Sequence, residues 1–185
     1  MNIVGKKVIL RAIGLSDAKL IVDMFNDEKM ESLVVGWSFP LSLYSQEQWI
    51  KEHYKDSTNL RFVIQTNNGE AVGIATLTNI DWKNKRATHG IKIASGKNRE
   101  AGIGTDTIMA IMRYAFDELG LNRLDGSWFT DNLPSKNVYM KCGWKEEGVR
   151  RKYIYKNGTY KDLVMTGILA TDYYTLIKNN RYWEI

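Results

Sequence analysis

The sequence predicts one mixed α/β domain covering residues 1–185. Three observations lead there. Runs rich in β-branched and aromatic residues are interleaved with helical periodicities instead of being segregated from them. Two Asn-Gly pairs, Asn68-Gly69 and Asn157-Gly158, sit between such runs and mark tight hairpins. A short strand-like run, a glycine-bearing turn and an amphipathic helix also follow one another from Gly90 to Phe116.

Taken in order, Lys7 to Ile13 alternates as a strand, and Ser16-Asp17 starts a helix over Ala18 to Phe25. Glu31 to Leu43 reads as a loop. Its two large aromatics, Trp37 and Phe39, either plug the core or line a substrate groove. Ser45 with Gln48 forms a capping box for a second helix running to about Lys55. Arg61 to Thr66 and Ala71 to Ile80 are hairpin strands, and a polar turn leads into a strand over Ala87 to Ala94. The next helix carries Ile108, Ile111, Met112, Ala115, Phe116 and Leu119 on one face. Arg123 to Phe129 is another strand, and Ser135 to Lys141 a short helix that stops at Gly143. Val149 to Tyr155 and Tyr160 to Leu169 form the closing hairpin.

Composition narrows the class. The chain is 44% hydrophobic and 25% charged, as expected of a globular domain with a sizeable core. No apolar run is long enough for a membrane helix, and residues 1–11 lack the apolar centre of a signal peptide. The single cysteine, Cys142, excludes an internal disulfide and fits the cytoplasm. Two histidines and one cysteine give no zinc set, so no metal is expected. A net charge of +5 favours anionic ligands without specifying nucleic acid, and the basic residues are spread out.

The turn from Arg99 to Thr105 carries the chemistry. Unpaired N–H groups at a helix start, together with the helix dipole, attract a phosphate, and glycine lets the backbone come close to it. Arg99 adds a guanidinium just upstream. A Rossmann turn requires a small residue where Thr107 stands. A Walker loop requires one residue fewer between Gly90 and Gly96, and a Ser or Thr in place of Asn98. Asp106, in the first helical turn, opposes an anion unless its side chain turns away.

Arg99-x-x-Gly102-x-Gly104 resembles the coenzyme A signature of the GNAT N-acetyltransferase superfamily. Leu10-Arg11 with Ser16-Asp17, Asn132-x-x-Ser135-x-x-x-Tyr139-x-Lys141-x-Gly143-Trp144, and Asn157-Gly158-x-Tyr160-x-Asp162 are similar to its Rim-type ribosomal-protein N-terminal acetyltransferase branch. Trp144 stands where that branch has Phe. The resemblance implies a mostly antiparallel sheet, splayed at an acetyl-CoA site and flanked by helices.

It also implies a set of site residues. The cofactor would lie against Ile91, Ile93 and Ala94, with its phosphates at Arg99, Ala101, Gly102, Ile103, Gly104 and Thr105. Asn132 and Lys141 would add contacts. Tyr139 would protonate the leaving thiolate, assisted by Ser135. Many relatives place a glutamate base where this chain has His89, and an imidazole near its reference pKa could take the proton. Cys142 occupies an aliphatic slot and is expected in the core, inert. The expected activity is acetyl transfer from acetyl-CoA to a primary amine in a ternary complex, with a protein or peptide N-terminus as acceptor. The alternatives are a polyamine, aminoglycoside or amino-sugar acceptor, or a module that binds acetyl-CoA without turnover. Expected partners are acetyl-CoA and the amine, with neither membrane nor nucleic acid, in a monomer or homodimer.

Overall fold

A computed structural model describes residues 1–36, 39–53, 55–94 and 102–184. Its strands are β1 (Ile3–Val4), β2 (Val8–Ala12), β3 (Leu60–Thr66), β4 (Ala71–Asp81), β5 (Arg86–Ile93), β6 (Arg123–Phe129), β7 (Lys145–Lys156) and β8 (Thr159–Leu169). The helices are α1 (Ala18–Phe25), α2 (Glu28–Leu33), α3 (Leu43–Glu52), α4 (Ile103–Arg113), α5 (Leu133–Lys141) and α6 (Ala170–Asn180).

The strands form one eight-stranded sheet in the order β1-β2-β3-β4-β5-β6-β8-β7. Every pairing is antiparallel except β5 with β6. That exception follows from α4, which carries the chain back across the sheet between β5 and β6. The mixed α/β class and the mostly antiparallel sheet match the expectation.

Helix α4 is the centre of the main core. Ile108, Ala110, Ile111 and Met112 are fully buried, and Met109 is nearly so. A helix apolar on most sides has to be covered on most sides. The sheet covers one side, and α5 and α6 help close the other through Tyr139, Cys142 and Tyr173. After Arg113 the helix widens into an i→i+5 turn, in which the Leu119 N–H donates to the Tyr114 carbonyl at 3.1 Å. Ile21, Met24 and Met30 form a smaller core on the opposite face of the sheet, against Ile74.

The Arg11 and Asp17 of the opening motif have a structural explanation. The Arg11 guanidinium donates to both Asp17 oxygens at 2.8 Å, and the Gly14 N–H donates to one of them. This fork fixes how α1 leaves β2.

Several boundaries differ from the expectation. The cap of α3 is Ser42, whose hydroxyl accepts from the Ser45 N–H at 3.1 Å, so the helix begins earlier than the Ser45–Gln48 pattern suggested. Glu28–Leu33, partly assigned to a loop, is helical and capped by Asp27. Helix α6 was not anticipated, because its apolar spacing is weak. It is held by burial of Tyr173 against Phe116, with ring centroids 5.4 Å apart.

Candidate functional site

The β5–β6 ladder holds only at Arg86–Arg123, Ala87–Leu124 and Thr88–Asp125. Beyond it, β5 stays paired with β4 to Ile93, and β6 stays paired with β8 to Phe129. The two strands therefore part, and from His89 to Ile93 one edge of β5 faces no strand among the described residues. Backbone N–H and C=O groups along that edge need partners. Ile91 and Ile93 pack toward the α4 core, while Ala94 packs on the α1 side.

Helix α4 starts beside this opening. Its cap, Gly102, has φ 75° and ψ 11°, a left-handed conformation that costs glycine little and other residues more. Among the described residues no side chain makes a capping hydrogen bond to the helix. The first helical bond runs from the Asp106 N–H to the Gly102 carbonyl. The N–H groups of Ile103, Gly104 and Thr105 therefore have no acceptor within the helix, which is the general condition for an anion to bind at a helix start. Gly104 lies where α4 meets Val138 of α5 and Ile93 of β5. Arg99 and Ala101 lie outside the described residues.

Asp106, the residue that argued against an anion here, turns away. Its carboxylate accepts from the backbone N–H groups of Lys6 at 3.0 Å, Lys7 at 2.6 Å and Val8 at 3.0 Å, and from the Tyr182 hydroxyl at 2.8 Å. Its negative charge is spent on the start of β2 and on the C-terminal segment.

On the α5 side of the opening, the His89 Nδ1 lies 2.8 Å from the Tyr139 hydroxyl, and both residues are 3% exposed. Trp144 packs edge-on against Tyr139, with ring centroids 4.9 Å apart. Gly126 of β6 gives these rings room, because a Cβ there would meet Trp144 at 3.1 Å and Tyr139 at 3.5 Å. Gly126, a glycine inside a strand pattern, is the sequence signal for this close approach. Burial raises the Tyr139 phenol well above its ordinary range, so it stays protonated.

Burial also pushes His89 down to about 3. The expectation of an imidazole near its reference pKa is therefore corrected: the ring is neutral, and charging it would cost desolvation that no carboxylate among the described residues offsets. Its Nε2 has no hydrogen-bond partner among the described residues.

The remaining predicted site residues fall at varied distances from this centre. The Asn132 side chain caps α5 by accepting from the Ser135 N–H at 3.1 Å and donates to the Leu33 carbonyl at 3.0 Å, so both its ends are engaged. Ser135 is half-buried in the first turn of α5. Lys141 is exposed. Phe39 is 70% exposed, which excludes the core-plug reading for it, and Trp37 lies outside the described residues. Cys142 is fully buried with its thiol pushed up to about 12, as its slot predicted. Among the described residues no group of His, Cys, Asp and Glu is arranged to hold a metal. No helix among them is long and apolar enough to cross a membrane.

A strand pair parted beside a glycine-capped helix makes a cleft that suits a phosphate-bearing ligand, and comparison with known proteins gives the family. Residues 7–145 match the family described as the acetyltransferase (GNAT) domain. The chain belongs to this family and is an acetyl-CoA-dependent N-acetyltransferase. It is 29% identical to the uncharacterized N-acetyltransferase YoaA of Bacillus subtilis, covering 93% of this chain and 94% of that one. It is 36% identical to YdaF of the same organism, named as a candidate ribosomal N-acetyltransferase, over 63% of this chain and 57% of that one. The fold superposes with a TM-score of 0.84 on the spermidine N-acetyltransferase of Vibrio cholerae, solved with CoA and spermine. That match has 24% identity and covers 90% of this chain and 98% of the other.

Proposed function

We propose that acetyl-CoA lies in the opening between β5 and β6, with its pantetheine amides on the free edge from His89 to Ile93. Its diphosphate sits on the N–H groups of Ile103, Gly104 and Thr105, and Arg99 and Ala101 are the further phosphate contacts that the motif implies. The observation that carries this reading is the parting of the two strands directly beside the side-chain-free cap of α4. Asn132 holds the end of α2 against α5 at the mouth. Ser135 and Lys141 serve the outer part of the cofactor.

The bound thioester supplies an activated acyl carbon. A neutral amine attacks that carbon, the C–S bond breaks, and the electron pair leaves on sulfur. Tyr139 gives its phenolic proton to that sulfur, and the phenolate takes one back from the water that receives the ammonium proton. With Nδ1–H of His89 donating to the phenol oxygen, the phenol keeps its own proton for the thiolate. His89 is then a positioning residue, and the ammonium proton leaves to water. The depressed basicity of His89 speaks against the imidazole as base and for water.

For the acceptor we favour an α-amine, at a protein or peptide N-terminus, in line with the motifs and with YdaF. The spermidine enzyme of the same fold keeps a small polyamine as the second reading. Action as a monomer or homodimer in the cytoplasm, as one domain spanning the chain, completes the proposal. Thiol release from acetyl-CoA across a panel of amines tests it. Acceleration by an α-amine supports it, and acetyl-CoA binding without acceleration by any amine overturns it in favour of a binding module.

A further inference from the structure

On the face of β5 opposite His89, Lys92 turns toward α1 and α2. Its ammonium lies 3.9 Å from the ring centroid of Phe25, and the residue is only partly exposed. Close by, Lys156 at the end of β7 is 3% exposed. Its ammonium pairs with Glu31 at 2.8 Å and donates to the Val34 carbonyl at 2.6 Å. The ring of Phe129, the last residue of β6, is 5.9 Å from the same ammonium. Two ammonium groups and one carboxylate thus share a poorly hydrated corner at the open end of the strand gap. Among the described residues no salt bridge joins Lys92 to a carboxylate; Glu31 pairs with Lys156, and its charge offsets only part of the burial of Lys92.

A desolvated ammonium over an aromatic ring is only partly compensated, and the proximity of Lys156 works against it. Burial, with Lys156 nearby, lowers Lys92 to about 8. An arriving anion would relieve both penalties, whereas a second cation would add to them. With the thioester in the gap as proposed above, the attacking amine comes in beside this stretch of β5.

We propose that Lys92 seats a carboxylate carried by the acceptor. The accepted amine then has a carboxylate a few bonds away, as in a free α-amino acid or a peptide N-terminus followed by an acidic side chain. This deepens the acetyltransferase reading and rests on it. Lys156 and Glu31 neutralise each other and hold α2 in place, leaving Lys92 as the charge that selects. A polyamine meets a net positive corner.

The test compares matched acceptors on the full chain with saturating acetyl-CoA. One arm sets a free amino acid against its amide, a second sets a peptide with an acidic second residue against its neutral counterpart, and spermidine forms a third. The expected result is a kcat/KM at least about tenfold higher for the carboxylate member of one pair, and the pair that shows it identifies the source. Lys92→Met should erase that preference through KM with kcat little changed, Lys92→Arg should keep it, and the acetyl-CoA Kd should be the same in all three proteins. Preference for the amide, the neutral peptide or spermidine, or a preference that survives Lys92→Met, would overturn the proposal. Failure to bind acetyl-CoA at all is a separate outcome. It would overturn the cofactor reading, and the carboxylate seat with it.

Discussion

Removing one oxygen atom tests the proposed centre most sharply. In Tyr139→Phe the ring stays where Trp144 and Trp128 hold it, with centroids 4.9 and 5.6 Å away, so packing is kept. What is lost is the 2.8 Å hydrogen bond to His89 Nδ1, in a site where each partner is 3% exposed. An imidazole whose Nε2 is already unpartnered then has an orphaned Nδ1 as well. The structural cost is about 1–3 kcal/mol, which for a chain of this length lowers Tm by roughly 2–4 °C per kcal/mol. If the phenol protonates the thiolate, kcat falls by about 10²–10⁴ with little change in acetyl-CoA Kd. His89→Leu separates position from chemistry. On its own it should lower kcat through the misplaced phenol, and in the Tyr139→Phe background it should add nothing further. The double variant should also be more stable than the two single losses sum to, by about 0.5–3 kcal/mol, because no buried group is then left unpaired. The assays are single-turnover thiol release and chemical denaturation of all four proteins. A Tyr139→Phe rate within about twofold of wild type, or effects on kcat that multiply independently, would refute the reasoning.

Further outcomes follow from the same geometry. Burial holds His89 near 3 in the folded chain against about 6.5 unfolded, so its contribution is complete above about 6.5. As pH falls from 6.5 toward 3 the unfolded chain binds a proton the folded chain refuses, costing up to about 1.4 kcal/mol per pH unit. Denaturation curves at several pH values should show that extra slope in wild type and not in His89→Leu; equal slopes would contradict it. Gly102→Ala should cost only about 1 kcal/mol of left-handed strain. Gly102→Glu should in addition weaken acetyl-CoA binding on the order of 100-fold by calorimetry; an unchanged Kd would remove the phosphate turn. Asp106→Ala orphans three backbone donors and the Tyr182 hydroxyl, and should destabilise by about 3–5 kcal/mol, against about 1 for Tyr182→Phe. Equal losses in denaturation would show that the carboxylate is not the anchor.

Much of the fold was legible because local signals and tertiary demands agree. Asn68-Gly69 and Asn157-Gly158 turn where expected, with Gly69 at φ 86° and Gly158 at φ 77°. The apolar stripe of α4 found the core it implied. Helix α6 was missed because it owes its place to Tyr173 and to the Trp183 indole donating to the Tyr173 hydroxyl at 2.8 Å, contacts that leave no periodic trace. Helix α2 was missed because its six residues are too few for a period to stand out.

The sequence by itself determined the strand and the glycine-capped helix start proposed to seat the diphosphate, since Gly102 and the amides after it act through backbone geometry that neighbours in the chain prescribe. Only the tertiary structure decided what the charged and titratable groups do. Asp106 and Lys6 are 100 positions apart, His89 and Tyr139 are 50 apart, and Lys156 reaches Val34 across 122. Burial and charge partnership fix the chemistry of those groups, and both come from contacts that close only when the chain folds.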